Sequence, residues 1–402
     1  MSLEWKSCKI GDLGKIFSGG TPSTKIEEYW NGNLNWLSSG ETRNTYIYST
    51  DKYITEKGAE NSSTKLANKG DIVIASAGQG FTRGQSSMVM IDTFVNQSVI
   101  VIHPNEKVNN HYLLYNLKFR YPELRQLSDH ASTRGSLTTK IIKGLDINLP
   151  DLNTQNKIAT IIQYFDKKIE TDKRINKNLL QLSKVIFKNW FVDFEPFGGV
   201  QPNDWRISAL EEVCDLNAGG DKPEVVSDEI TDSCIYPIYS NGLDNDGLYG
   251  YTNHAKIFEE CVTVSARGTI GFVCLRHTPY VPIVRLVSVI PKKEFISAKY
   301  LYLYLDRLNI IGTGTTQQQL TIPDFKKTEI LVPTLDIIES FTNYLNPLFE
   351  KIWVQEEEIK KLSKLRDTLL PKLMSGEIDV SKINCDLYFL LYLYLIYCDK
   401  FN

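Results

Sequence analysis

A long amphipathic helix that occurs twice constrains this chain more than any other feature. From Thr154 to Phe194, apolar residues recur at Ile158, Ile162, Phe165, Ile169, Leu179, Ile186 and Trp190, with a break at Asp172 and Asn176. This near-heptad spacing predicts a helix whose apolar seam meets a partner. Roughly 38 residues would make a rod of about 57 Å. The stretch from Leu335 to Ser375 repeats the pattern with Phe341, Leu345, Leu348, Ile352, Ile359, Leu362, Leu369 and Leu373. Aligned on Leu149-Pro150 and Val332-Pro333, Ile158 falls on Phe341, Phe165 on Leu348, Ile169 on Ile352, Leu179 on Leu362 and Leu182 on Leu365. Gln355 falls on Asp172, so both seams turn polar at one level. A polar layer of that kind can set the register of two packed helices. The two rods are therefore expected to pack on each other, with Asp172 and Gln355 in the same layer.

The segment before each rod is also repeated. Glu4-Trp5-Lys6 is echoed by Asp204-Trp205-Arg206, and Phe17-Ser18-Gly19-Gly20 by Leu216-Asn217-Ala218-Gly219-Gly220. Ile72 to Gly78 is echoed by Val262 to Gly268, Tyr112 to Tyr115 by the run from Tyr300, and Leu137-Thr138 by Leu320-Thr321. Short β-type runs (34–37, 71–75, 87–91, 98–102) alternate with Gly, Asn and Ser clusters, and 110–119 has helical spacing. These readings give an α+β chain: two mixed α/β domains separated by two long antiparallel helices forming a coiled coil, with a pseudo-twofold internal repeat. The expected divisions are 1–150, 151–198, 199–333, 334–380 and an apolar tail, 381–402. The run Leu387–Cys398 is 12 residues long, short of the ~20 that cross a membrane. It reads either as a docked terminus or as a sticky non-native tail, and no function attaches to it.

Several chemistries lack their residues. The formal net charge of −3 supplies no global basic field, which argues weakly against non-specific nucleic-acid binding but leaves room for a local basic face. No phosphate-loop, H-E-x-x-H or G-x-S-x-G pattern is present, and neither is the Asn/Asp-Pro-Pro-aromatic pocket of amino-methyltransferases. Seven scattered cysteines contain no C-x-x-C pair. With no signal-peptide pattern at the start, they suggest a reducing, cytoplasmic setting. No catalytic or metal-binding residues are assigned.

What remains is loop chemistry. Gln79, Thr82, Arg83 and Gln85, then Ser132, Thr133, Arg134, Ser136, Thr138 and Lys140, cluster in Gly-punctuated loops of the first segment. Arg267, Thr269 and Arg276, then Thr313, Thr315, Thr316, Gln317, Gln318 and Gln319, do so in the second. These side-chain types contact phosphates and base edges in duplex DNA. Ser18-Gly19-Gly20-Thr21 and Gly219-Gly220 either let the backbone approach a phosphate or are plain tight turns.

Four motifs carry a family resemblance: Ser18-Gly19-Gly20-Thr21-Pro22-Ser23; Leu149-Pro150 followed by Gln155-Asn156-Lys157-Ile158; Trp190-Phe191-Val192-Asp193-Phe194; and Leu369-Leu370-Pro371-Lys372-Leu373-Met374-Ser375-Gly376-Glu377-Ile378. Over about residues 3–380 the chain resembles the specificity subunit of Type I restriction–modification systems. The second opening, Ala218-Gly219-Gly220-Asp221, departs by lacking the Ser and Thr. The resemblance implies a non-catalytic, sequence-specific binder of double-stranded DNA, with one target-recognition domain for each half of a bipartite site. It further implies that the helices space the half-sites and dock two modification (methyltransferase) subunits, joined by a restriction subunit. S-adenosylmethionine, ATP and Mg would then sit on those partners, with no cofactor here and no membrane association. A protein- or glycan-binding scaffold and a self-contained enzyme are the rival readings.

Overall fold

The computed structural model describes residues 5–78, 80–131, 135–308, 310 and 319–380. The chain forms two compact units. Among the described residues, one unit takes in those up to 171 and those from 358 to 380, and the other those from 172 to 357; the apolar tail 381–402 lies outside the described residues. Each unit therefore takes a domain together with part of each long helix. No helix among the described residues is long and apolar enough to cross a membrane.

In the first unit a five-stranded sheet runs in the order Gly14–Ser18, Val99–Pro104, Ile72–Ala75, Ser86–Val89, Tyr46–Ile47. Two of its inner strands, Val99–Pro104 and Ile72–Ala75, carry the β-branched runs Val-Ile-Val-Ile and Ile-Val-Ile because both faces are covered. Ile72, Ile74, Ile100 and Ile102 point into the main core, with the helix Asn110–Phe119. Val73, Val99 and Val101 point into a second core with Leu37 and Val95. The latter two belong to a four-stranded sheet, Lys52–Ile54, Trp30–Leu37, Thr93–Val95, Lys65–Ala67. In the second unit the strands Cys214–Ala218, Val287–Pro291, Cys261–Val264 and Val273–Arg276 form the matching sheet. A smaller sheet, Leu248–Thr252, Tyr236–Tyr239, Val281–Pro282, lies beside it in the chain order.

The repeat extends to individual hydrogen bonds. Each unit opens with a strand paired antiparallel to the strand that closes its domain: Lys6–Lys9 with Asp146–Leu149, and Arg206–Ala209 with Glu329–Val332. Tyr112 donates its hydroxyl to the Asn148 carbonyl at 3.3 Å, and Tyr300 to the Leu331 carbonyl at 2.6 Å. In both domains that carbonyl lies one residue before the end of the closing strand. Burial pushes both phenols well above their ordinary pKa, so they remain neutral donors.

The long helices span Leu152–Phe191 and Leu335–Met374. Inside each unit their segments pack antiparallel. In the first, Lys168 pairs with Glu358 at 3.3 Å and Asp166 with Arg366 at 2.8 Å. In the second, Gln355 donates to Asp172 at 3.1 Å and Asn176 to the Ile352 carbonyl at 3.2 Å. Asp172 and Gln355 are both buried, so the expected polar layer is present. The seam residues Ile158, Ile162, Phe165, Ile169, Leu362 and Leu369 enter the first core, with Ile359 packed against it. Phe341, Leu345 and Ile352 enter the second, with Leu179, Ile186 and Leu348 against it.

The seam departs from the expected positions at the end of the first helix. Ser183, Phe187 and Phe191 are buried there, whereas Ile186 and Trp190 are only partly buried. Leu182 is 46% exposed although its repeat counterpart Leu365 is 2% exposed. From Leu179 onward the buried positions advance by fours, which rotates the stripe away from a strict heptad. Nor is the seam a bare two-helix coil. Tyr115 of the first domain donates to Asp166 at 2.9 Å, and Tyr300 of the second lies 5.5 Å from the Phe187 ring.

Candidate nucleic-acid interface

Each domain gathers its loops around one backbone position. In the first that position is Ser76, just after the strand Ile72–Ala75. Its N–H donates to the Ser98 carbonyl at 2.8 Å, and its carbonyl accepts from Leu137 N–H at 2.9 Å. In the second it is Ala266, whose carbonyl accepts from Leu320 N–H at 3.0 Å. The paired leucines are buried and the threonines that follow cap short helices: Thr138 over Ile141, Thr321 over Asp324. The Leu-Thr echo is thus a structural device that fixes where the polar loop re-enters the domain.

The domains differ at the neighbouring bond. Ala266 N–H donates to Oδ1 of Asn241 at 2.8 Å, and Nδ2 of Asn241 donates to the Val284 carbonyl at 2.6 Å. A side-chain amide thus stands where the first domain joins two backbone segments directly. Beyond it, Val284 and Arg285 adopt φ of +52° and +61°. Val284 is the one Cβ-branched residue among the described non-glycine residues in that left-handed region, where each such residue costs about 1–3 kcal/mol. The turn is held by bonds from Val284 N–H to the Gly220 carbonyl at 2.9 Å and from Arg285 N–H to the Gly219 carbonyl at 3.0 Å.

The Gly-Gly openings pack against these turns. A Cβ on Gly19 would lie 1.9 Å from the Val95 carbonyl oxygen, and one on Gly219 2.7 Å from the Pro282 carbonyl carbon. Both glycines thus admit a neighbouring strand's backbone, and that close approach alone requires glycine at each position. Ser18 ends its strand opposite Ile100. Gly20 N–H donates to the Val95 carbonyl at 3.1 Å, and the Thr21 hydroxyl bonds Gln97 in the adjacent turn.

The other loop residues divide by environment. Thr82 and Gln85 close a turn between strands, Gln85 N–H donating to the Thr82 carbonyl at 3.1 Å. Arg83 is largely covered; it pairs with Asp129 and donates to the Gly135 carbonyl at 3.1 Å, bracing one loop against another. Ser136 is half-buried, and Thr138 and Lys140 are exposed. Arg267 and Thr269 are exposed, with Arg267 reaching Gln319 Oε1 at 3.4 Å.

Arg276 is a correction. It is buried, donates to Thr263 Oγ1 at 2.9 Å and to the Asp246 carbonyl at 2.6 Å, and stacks 3.6 Å from the Tyr239 ring centre. Those contacts consume the guanidinium inside the domain, so it is a core residue and not a surface contact. Gln79, Ser132, Thr133, Arg134, Thr313, Thr315, Thr316, Gln317 and Gln318 lie outside the described residues. Asn241 and Arg285 escaped sequence reading; the signal was present only as polar residues flanking short apolar strands.

Two duplicated loop-bearing domains, each closed by a long helix, match a known architecture. Residues 2–181 and 202–371 both match the Type I restriction modification DNA specificity domain. The chain belongs to that family. It is 29% identical to the Type I restriction enzyme MjaIX specificity subunit of Methanocaldococcus jannaschii, over 94% of this chain and 95% of that one. It is 24% identical to the Type I restriction enzyme HindI specificity subunit of Haemophilus influenzae, over 93% and 100% of the two chains. Its fold is that of the Type I S subunit from M. genitalium, with a TM-score of 0.62 at 16% identity over 92% of this chain and 96% of that one. Type I specificity subunits are non-catalytic and carry no cofactor; S-adenosylmethionine and ATP are bound by partner subunits. Membership of the family makes this chain a DNA target-recognition subunit of a complex with modification and restriction subunits.

Proposed function

We propose that each domain of this specificity subunit reads one half of a bipartite, asymmetric DNA target. We further propose that the two long helices set the distance between the halves and dock two modification subunits. The observation that carries this reading is the matched loop assembly. Both domains bring their loops to one backbone position with equivalent bonds at Ser76 and Ala266, yet the side chains they offer differ. One scaffold repeated with different loops suits two different half-sites. Lys and Arg contacts to phosphates would position the subunit, and base contacts from the loops would select sequence. Each wrong base pair would cost about 1–3 kcal/mol. Because both contact sets sit on one chain, a mis-spaced target gives up the second set. The acidic balance of the chain is compatible with this if the partner subunits provide much of the positive surface.

The test is single-molecule methylome sequencing of a host carrying the complete system, with this chain deleted and then restored. One bipartite adenine mark should disappear and return with the chain. Marks that persist without it, or methylation or cleavage by the purified chain alone, would defeat the reading.

A further inference from the structure

We propose that Arg285 is a base-reading residue of the second domain and contacts a guanine edge in the major groove. The inference rests on the reading that this domain recognises one half-site. Arg285 is exposed, and among the described residues no carboxylate pairs with it. It stands at the tip of the turn between the strands Val281–Pro282 and Val287–Pro291. That tip belongs to the loop assembly, because Asn241 ties the Val284 carbonyl to Ala266 N–H, next to Arg267. Leu320, next to Gln319, is bonded to the same Ala266.

The backbone at this tip is fixed to an unusual degree for a surface turn. Two consecutive left-handed residues, one of them Cβ-branched, are held there by the Gly219 and Gly220 carbonyls and by Asn241. A strained conformation persists only where its surroundings enforce it. A phosphate contact would not need such a support, since a point charge on a flexible stem serves as well. A planar guanidinium that must place two N–H donors on O6 and N7 of one guanine does need a fixed origin. Of the neighbouring arginines, Arg276 is buried, and Arg267 is exposed with a long contact of 3.4 Å to Gln319. In the first domain the turn between the corresponding strands carries Gln97, also exposed and held by Thr21. Sites of different sequence thus have different readers on one support.

The experiment uses the full chain assembled with its partner subunits and compares wild type, Arg285→Ala and Arg285→Lys. Methylome sequencing defines the target, and competition binding then uses duplexes altered one base pair at a time. Both variants should lose about 10- to 100-fold discrimination at a single G·C position of one half-site. All other positions should keep theirs, and thermal stability should stay at the wild-type value. Arg285→Lys should also keep the wild-type salt dependence. Two results would overturn the assignment: full discrimination in Arg285→Ala, or a uniform loss on every duplex with a salt slope lower by about one, the mark of a phosphate contact. If the wild-type complex leaves no chain-dependent bipartite mark, the half-site reading itself fails and takes the Arg285 assignment with it.

Discussion

Arg276 and Arg285 lie close in sequence and in opposite environments. The first is a core residue whose guanidinium is spent on Thr263, the Asp246 carbonyl and the Tyr239 ring. Arg276→Ala should destabilise the second unit by about 3 kcal/mol, because it opens a cavity and leaves the buried Thr263 hydroxyl without its partner. Urea unfolding of the variant checks this. A second test at this scale uses the buried thiols. Burial raises Cys261 to about 11 and Cys214 and Cys274 to about 12, from an ordinary 9.0. Below pH 9 these thiols are protonated whether the chain is folded or not, so they add no pH dependence. Above it the unfolded thiols release protons that the folded ones keep, and stability falls as pH climbs towards 11–12. Thermal melts between pH 8 and pH 11 should show the fall, and Cys214→Ala should reduce it. Sequence showed which residue types populate the loops, but not the burial of Arg276. The run Val273-Cys274-Leu275-Arg276 does not reveal that its strand is covered on both faces.

Among the elements, the long helices were the most legible, since their 3.6-residue period is sustained and ends at Gly or Pro signals. The polar layer also followed from the sequence: Asp172 and Gln355 meet at 3.1 Å in a buried setting. Replacing Asp172 alone by Leu should cost about 1–3 kcal/mol, because the Gln355 amide loses its acceptor. Replacing both by Leu should recover most of that loss or exceed wild-type stability, as apolar substitutes for buried polar pairs often do. A double-mutant cycle followed by chemical denaturation measures the coupling. The shift of the seam onto Ser183, Phe187 and Phe191 was not legible. A small polar residue at Ser183 hides a buried position, and the neighbouring aromatics Phe187, Trp190 and Phe191 fit either phase.

At the level of the whole chain the repeat was visible because framework and loops respond to different demands. Strand pairs, the Tyr112 and Tyr300 bonds and the Leu-Thr caps recur, whereas exposed loops vary freely. The borders of the compact units, at 171/172 and 357/358, were not visible. They fall inside continuous helices and reflect which side chains pack together, not a break in the chain. If the helices set the half-site spacing, adding seven residues to both should lengthen the spacer by roughly three base pairs. Two helical turns add about 10.5 Å, and each base pair rises about 3.4 Å. The half-sites themselves should stay the same, as methylome sequencing of the lengthened subunit would show.

The most direct test of the central claim is a domain exchange. Residues 1–150 are replaced by the corresponding domain of a relative with a different known target, and the methylome of the host is sequenced. One half of the bipartite mark should change to the donor's sequence, while the other half and the spacer stay as in wild type. A change in both halves, or in neither, would contradict it.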